Sequence, residues 1–249
     1  MDSLKVGSHR WREVEALLHL GALPGVGPVT VRRMVSEVGS ASRVMSSPRV
    51  LRGMAGEAAA SAARDPKLRG LIRRSLESAA RMGMALVVST DAEYPRRLHH
   101  LADPPTVLFL RGDPSLLSRP GVAVVGSRRA TARARGVAER LGAAVAGAGT
   151  SVVSGLALGV DAAAHRGALE AGGPTVAVLG RGADRAYPTA HGGLFARIVK
   201  EGLVVSEFLP GTPPLPHNFP RRNRILAALA STVVVVEAGA RSGALISVE

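Results

Sequence analysis

Apolar positions follow two different rhythms along this chain. Over the first third they recur every three or four places: Trp11, Val14, Leu17 and Leu18, then Val31, Met34, Val35 and Val38, then Leu68, Leu71, Ile72, Leu76 and Ala79. That spacing predicts amphipathic helices and a small all-α domain over residues 1–82. Leu23-Pro24-Gly25-Val26-Gly27-Pro28 joins the first two helices with the spacing of a helix-hairpin-helix. Such a glycine turn can offer backbone N–H groups to a DNA phosphate. Degenerate copies serve equally as packing hairpins or protein contacts.

From Met84 the period shortens. Residues 84–89 and 106–110 read as short apolar strands around a loop and short helix at 94–101. Two turn-rich joints, Arg111-Gly112-Asp113-Pro114 and Ser118-Arg119-Pro120-Gly121, lead onward. Fully buried strands follow at 122–125, 151–153, 175–179, 203–205 and 232–236, alternating with helical segments near 132–146, 161–170, 191–200 and 220–229. The alternation predicts a doubly wound α/β domain on a parallel sheet over residues 83–249. Each strand leaves through polar or glycine residues: Gly126-Ser127, Ser154-Gly155, Gly180-Arg181, Ser206-Glu207 and Glu237. Carboxyl ends of parallel strands share one edge of a sheet, so these groups should face one crevice. The chain ends at Glu249 where a sheet of this type calls for further strand and helix, so the second domain reads as truncated at its C-terminus.

Composition narrows the chemistry. The 249 residues carry a formal net charge of +13, which favours a polyanionic partner, although an arginine-heavy, Ala/Gly/Val-rich chain is also what a GC-rich coding bias produces. Cysteine is absent, which excludes disulfides and thiolate chemistry. No stretch approaches the roughly 20 apolar residues of a membrane helix, so the reading is a cytoplasmic protein without a membrane partner.

Candidate chemistry gathers at the strand exits. Gly126, Ser127, Arg128 and Arg129 follow an apolar strand just where a helix should begin. Free backbone N–H groups, a hydroxyl and the helix dipole can hold an anion there. Cations in a first helical turn oppose the dipole, a penalty that a bound phosphate would reverse. Ser154, Gly155 and Gly159 form a second glycine-bearing exit, adjacent to the first if the two strands are neighbours. Neither exit contains a dinucleotide fingerprint. Asp161 and His165, four apart on one helix, could be an acid/base pair, but a single histidine without further ligands makes a poor metal site, and bracing the glycine loop is the simpler role. In Asn218-Phe219-Pro220-Arg221-Arg222-Asn223-Arg224, Arg221 reads as solvated while Asn223 and Arg224 read as ligand-facing. Tyr187 and Phe219 are stacking candidates that serve equally as core or pocket wall.

These residues resemble one family. Tyr94-Pro95, Asp103-Pro104-Pro105, Val125-Gly126-Ser127-Arg128, Ser154-Gly155 through Gly159-Val160-Asp161 to His165, Tyr187-Pro188, Arg222-Asn223-Arg224-Ile225 and Glu237 with Ser242-Gly243-Ala244 are similar, in order, to DNA-processing protein A, the DprA/Smf family. The resemblance implies an extended Rossmann-like fold that binds single-stranded DNA without catalysis, cofactor or metal. It further implies a homodimer that protects incoming DNA and helps load the RecA recombinase during natural transformation. Carried over by motif, the DNA site comprises Gly126, Ser127, Arg128, Arg129, Ser154, Gly155, Gly159, Asn223, Arg224, Ser242 and Gly243. After Tyr187-Pro188 the chain continues Thr189-Ala190-His191-Gly192-Gly193 where some relatives place Lys or Asn. A basic contact is therefore missing at that point. A Rossmann-type nucleotide phosphoribohydrolase is the alternative, yet Glu237-Ala238-Gly239-Ala240-Arg241-Ser242-Gly243 lacks the Pro-Gly-Gly-x-Gly-Thr and carboxylate such enzymes use. A metal-dependent nuclease would require clustered acids, and Asp161, Asp184, Glu207 and Glu237 are isolated in sequence.

Overall fold

A computed structural model gives the protein's structure over residues 7–239, and the chain divides into two units. The first takes in the chain up to Tyr94 together with His99–Leu108; the second holds Pro95–Leu98 and everything from Phe109 onward.

In the first unit α1 (His9–Gly21) starts on Ser8, whose hydroxyl accepts the Trp11 N–H at 3.1 Å. Trp11, Val14, Leu17 and Leu20 form its buried stripe. A turn with Gly25 at φ 70° leads into α2 (Pro28–Val38), which carries proline in its first turn and buries Val31 and Met34. Residues 41–62, which the apolar rhythm leaves unassigned, form α3 (Ala41–Ser46) and α4 (Pro48–Ala62), the latter broken at Gly56. The Glu13 carboxylate on α1 accepts the Ala41 and Ser42 N–H groups at 2.9 and 3.3 Å, satisfying donors that the start of α3 would otherwise orphan. α5 (Pro66–Arg81) is capped by Asp65 and buries Ile72, Leu76 and Ala79. Leu71, expected on that face, is 50 % exposed, because a neighbour of Ile72 points about 100° away around a helix. β1 (Ala85–Val88) and the first residues of β2 (Val107–Gly112) complete the unit.

The second unit is built around β3 (Gly121–Gly126), β4 (Ser151–Ser154), β5 (Thr175–Val178), β6 (Leu203–Ser206) and β7 (Thr232–Val236), with α6 (Ala132–Gly147), α7 (Val160–Glu170), α8 (Gly192–Glu201) and α9 (Asn218–Leu229) between them. The strand order β2-β6-β5-β4-β3-β7 is parallel except for β2, which runs antiparallel to β6. The doubly wound Rossmann-like fold expected from the alternation is therefore present, with one antiparallel strand beside it. After stepping outward from β3 to β6, the chain returns to place β7 on the free side of β3, pairing Gly126 with Val236. This reversal is the switch point at which ligands of open α/β sheets bind.

Small residues set the packing. α6 and α7 meet through Ala134, Ala138, Ala163, Ala164 and Ala168. A Cβ on Gly142 would collide with the Ala164 carbonyl, and one on Gly167 with that of Glu139. The alanine and glycine content that composition alone leaves ambiguous is thus used in close helix packing.

Candidate functional site

The carboxyl ends of β3 to β7 lie along one edge, and each predicted residue can be located there. Gly126 is a packing glycine: a Cβ would strike the Val236 carbonyl and the Val160 side chain. Ser127 donates its N–H to the Glu237 carbonyl at 2.7 Å, while its hydroxyl accepts the Arg129 N–H at 3.1 Å. Arg128 and Arg129 are exposed. They stand before α6 rather than in its first turn, because Thr131 is the cap, its hydroxyl accepting the Ala134 N–H. The Glu237 carboxylate already accepts the Thr131 N–H at 3.0 Å and the Thr131 hydroxyl at 2.6 Å. The protein's own acid therefore occupies the helix start where an external anion was expected, so the arginine side chains rather than the dipole are what this exit offers a ligand.

The second exit is tied inward. Ser154 is fully buried and donates its hydroxyl to the Val124 carbonyl at 2.6 Å, joining β4 to β3. Asp161 accepts the Gly155 and Ala157 N–H groups at 3.1 and 3.3 Å, the bracing role read from the sequence. Gly159 has φ 79°, and a Cβ there would strike the Ser127 carbonyl, so only glycine lets the two exits touch. Leu156, between them, is a buried non-glycine residue at φ 58°. His165 faces β5 rather than the loop, its Nδ1 lying 2.7 Å from the Thr175 hydroxyl. Burial, reinforced by Arg222 and His191, pushes this imidazole down to about 3.

Arg222 is the feature that sequence reasoning missed. Adjacent in sequence to Arg221, read as solvated, and to Arg224, read as ligand-facing, it is buried and donates to the carbonyls of Gly155, at 2.8 Å, and Val178, and to Asn223 Oδ1 at 3.2 Å. One guanidinium thereby holds the β4 and β5 exits together. Burial brings it down to about 10, against the pull of Asp161. Burial also pushes the Asp161 carboxyl up, with Arg222 and the two amides opposing that shift. The only hint in the sequence was a third arginine on a helix whose other face is apolar.

Arg224 and Arg221 both reach Glu207, just past β6, whose side chain is 4 % exposed. Arg224, at 15 % exposed, is thus ion-paired rather than open to solvent, and Arg221 is half exposed with its Nε 3.3 Å from the same carboxylate. Ser242 and Gly243 lie outside the described residues.

What remains accessible at this edge is an aromatic and cationic stack. The Tyr187 and Phe219 ring centroids are 5.7 Å apart, and the Arg128 guanidinium lies 5.1 Å above the Phe219 ring. Phe219 rests on Gly180 past the end of β5, where a Cβ would come within 2.9 Å of the ring. Tyr187 is 39 % exposed. Two tilted aromatic rings with exposed cations next to them can take a nucleobase and its phosphate together. Among the described residues no group of acids and histidines could hold a metal ion, and no helix is long and apolar enough to cross a membrane.

Comparison with known proteins agrees with these motifs. The sequence model of the family "DNA recombination-mediator protein A" matches residues 85–249. The chain belongs to this family. It is 45 % identical over 161 residues to the DNA processing protein DprA of Streptococcus pneumoniae, covering 64 % of this chain and 56 % of that one. It is 43 % identical over 161 residues to protein Smf of Synechocystis, covering 63 % and 40 %. The chain thus spans about half the length of the curated relatives it matches. Among solved structures, DprA from S. pneumoniae superposes with a TM-score of 0.73 at 32 % identity, over 95 % of this chain and 81 % of that one. DprA from Helicobacter pylori, whose structure is described as giving insight into its single-stranded DNA binding mode, superposes with a TM-score of 0.60 at 32 % identity, over 67 % and 75 %.

Proposed function

We propose that the carboxyl edge of the second unit binds single-stranded DNA without sequence preference, bases lying on Tyr187 and Phe219 and phosphates on Arg128 and Arg129. The observation that carries this reading is the Tyr187–Phe219–Arg128 cluster at the carboxyl edge of the sheet. Bases can reach a ring face only when unpaired, so the stack favours a single strand over a duplex. Ser127, Gly155, Gly159 and Asn223 shape the floor, and Ser242 and Gly243 belong to the same site by motif. Membership of the family and the single-strand binding of the H. pylori relative support the reading.

On the same reading the whole protein, as a cytoplasmic homodimer, protects incoming DNA and passes it to RecA during natural transformation. The site works by binding. Its two candidate acid/base groups are already employed, Asp161 by backbone amides and His165 in a buried bond to Thr175. The test is a titration with fluorescent oligothymidylate at several salt concentrations, alongside Arg128→Ala and Tyr187→Ala. Both substitutions should weaken binding by tenfold or so, within the about 1–3 kcal/mol attached to one stacked base. Wild-type affinity in both would overturn the reading. The transfer step is checked by RecA filament assembly on a strand coated with single-strand binding protein, which should accelerate when the full-length protein is added.

A further inference from the structure

The first unit carries a cationic surface that the proposed site does not use. On the outward side of α5 stand Lys67, Arg69, Arg73, Arg74 and Arg81, all exposed, with Glu77 as the one acid. Some arginines on other helices are matched by acids, Arg33 with Glu37, Arg52 with Glu57 and Arg197 with Glu201, while Arg133 and Arg140 on α6 are exposed with no such ion pair among the described residues. Along α5 none of the five cations has a carboxylate within ion-pair reach among the described residues. Arg69 and Arg73 are one turn apart, a like-charge spacing that weakens a helix, and Lys67 and Arg69 crowd the end where the dipole disfavours cations.

Gly70 sits at the centre of this face, with Lys67 three residues before it and Arg73 and Arg74 three and four after. Glycine inside an exposed helix is unfavourable, and packing does not require it here: the heavy atoms a Cβ would meet within 4 Å all belong to the Arg74 guanidinium. Three locally unfavourable choices on one face share a purpose if a polyanion approaches the backbone at Gly70, which only the Arg74 guanidinium overlies, while the surrounding side chains grip it.

We propose that this face of α5 is a second contact for the sugar-phosphate backbone of a single DNA strand, an inference that rests on the single-strand reading of the second unit. The commitment to a nucleic acid over an acidic peptide follows from the floor at Gly70. A continuous phosphate backbone can lie across it with charges on both sides, and the contact requires no sequence.

The experiment uses the whole chain with oligothymidylates of about 10 and about 60 nucleotides, chosen to fill roughly one site or to extend beyond it. The triple variant Arg69→Gln/Arg73→Gln/Arg74→Gln keeps good helix formers on an exposed face, so it should melt as the parent does. It should bind the short strand within about twofold of the parent, and bind the long strand at least about tenfold more weakly at low salt, with the log-log salt slope reduced by about 2. Unchanged long-strand affinity and slope would overturn the inference. So would equal losses on both lengths, or a loss confined to a duplex of the same length. Gly70→Gln adds bulk without charge and should raise the melting temperature while weakening long-strand binding; binding as tight as the parent's would overturn the close approach. Arg128→Ala separates the two readings: intact short-strand binding in that variant would remove the strand-exit site, leaving the α5 contact judged by its long-strand slope.

Discussion

Arg222 satisfies two buried carbonyls and faces a buried acid, so its removal strands both carbonyls and leaves the acid without its neighbouring cation. Breaking such an arrangement costs about 3–5 kcal/mol. We expect Arg222→Met to lower the urea midpoint accordingly, and Arg222→Met/Asp161→Asn to recover part of the loss because the uncompensated carboxylate is gone. A midpoint unchanged by Arg222→Met would mean the guanidinium is dispensable. His165 gives a pH signature. Unfolded, it titrates near 6.5; folded, near 3. Its contribution to stability is therefore complete above pH 6.5 and declines as pH falls toward 3, by about 1.4 kcal/mol per unit. Asp161, held above its ordinary value, acts in the opposite sense in acid, so the measurement that isolates the histidine is the difference between the parent and His165→Gln. That difference should narrow from pH 6.5 downward. At this scale the sequence was only partly legible. Asp161 braces the glycine loop as its local motif suggests, whereas the fates of Arg222 and Arg224 depend on Gly155, Val178 and Glu207, partners contributed by strands distant in sequence.

The loop between β4 and α7 is where element geometry constrains the site most tightly. Gly159 combines φ 79° with backbone contact against Ser127, so Gly159→Ala meets strain and collision together. We expect it to destabilise the second unit by more than about 1 kcal/mol and to weaken DNA binding by displacing the turn that carries Arg128. A melting temperature and affinity both at parental values would contradict this. β3 to β6 were legible because they are buried almost throughout, which leaves uninterrupted apolar runs such as Val122-Ala123-Val124-Val125, while β7, expected to be fully buried, carries such a run over Val233–Val236 but is only half-buried beside β3. α3 and α4 were not, since residues 41–62 mix alanine, serine, glycine and arginine with few large apolar residues to mark a period. The range of α6 agrees with the sequence reading, but Arg128 and Arg129, expected in its first turn, stand before its Thr131 cap, which is held by Glu237, an acid that follows the last strand and has no local signature.

At the scale of the molecule, charge distribution is the property most open to measurement. The net +13 is not spread evenly in effect, because some arginines are engaged by acids while Arg128, Arg129 and the α5 face stand exposed. Single-strand affinity should fall by about 0.7 log units per log unit of salt for each phosphate engaged, and a duplex of equal length should bind more weakly. Equal affinities would show that field strength, rather than stacking, governs the interaction. Glu207 gives this balance a kinetic side. By clasping Arg221 and Arg224 it withholds two cations from the strand-exit edge, so a bound strand meets less attraction than the arginine count suggests. A protein that only stored DNA would gain from a tighter grip, whereas one that hands a strand onward depends on how long it holds the strand, and affinity differences between variants of one interface lie mostly in the rate of departure. Glu207→Gln should lengthen that residence several-fold in stopped-flow displacement, and the same substitution should slow any transfer of the strand to its next holder.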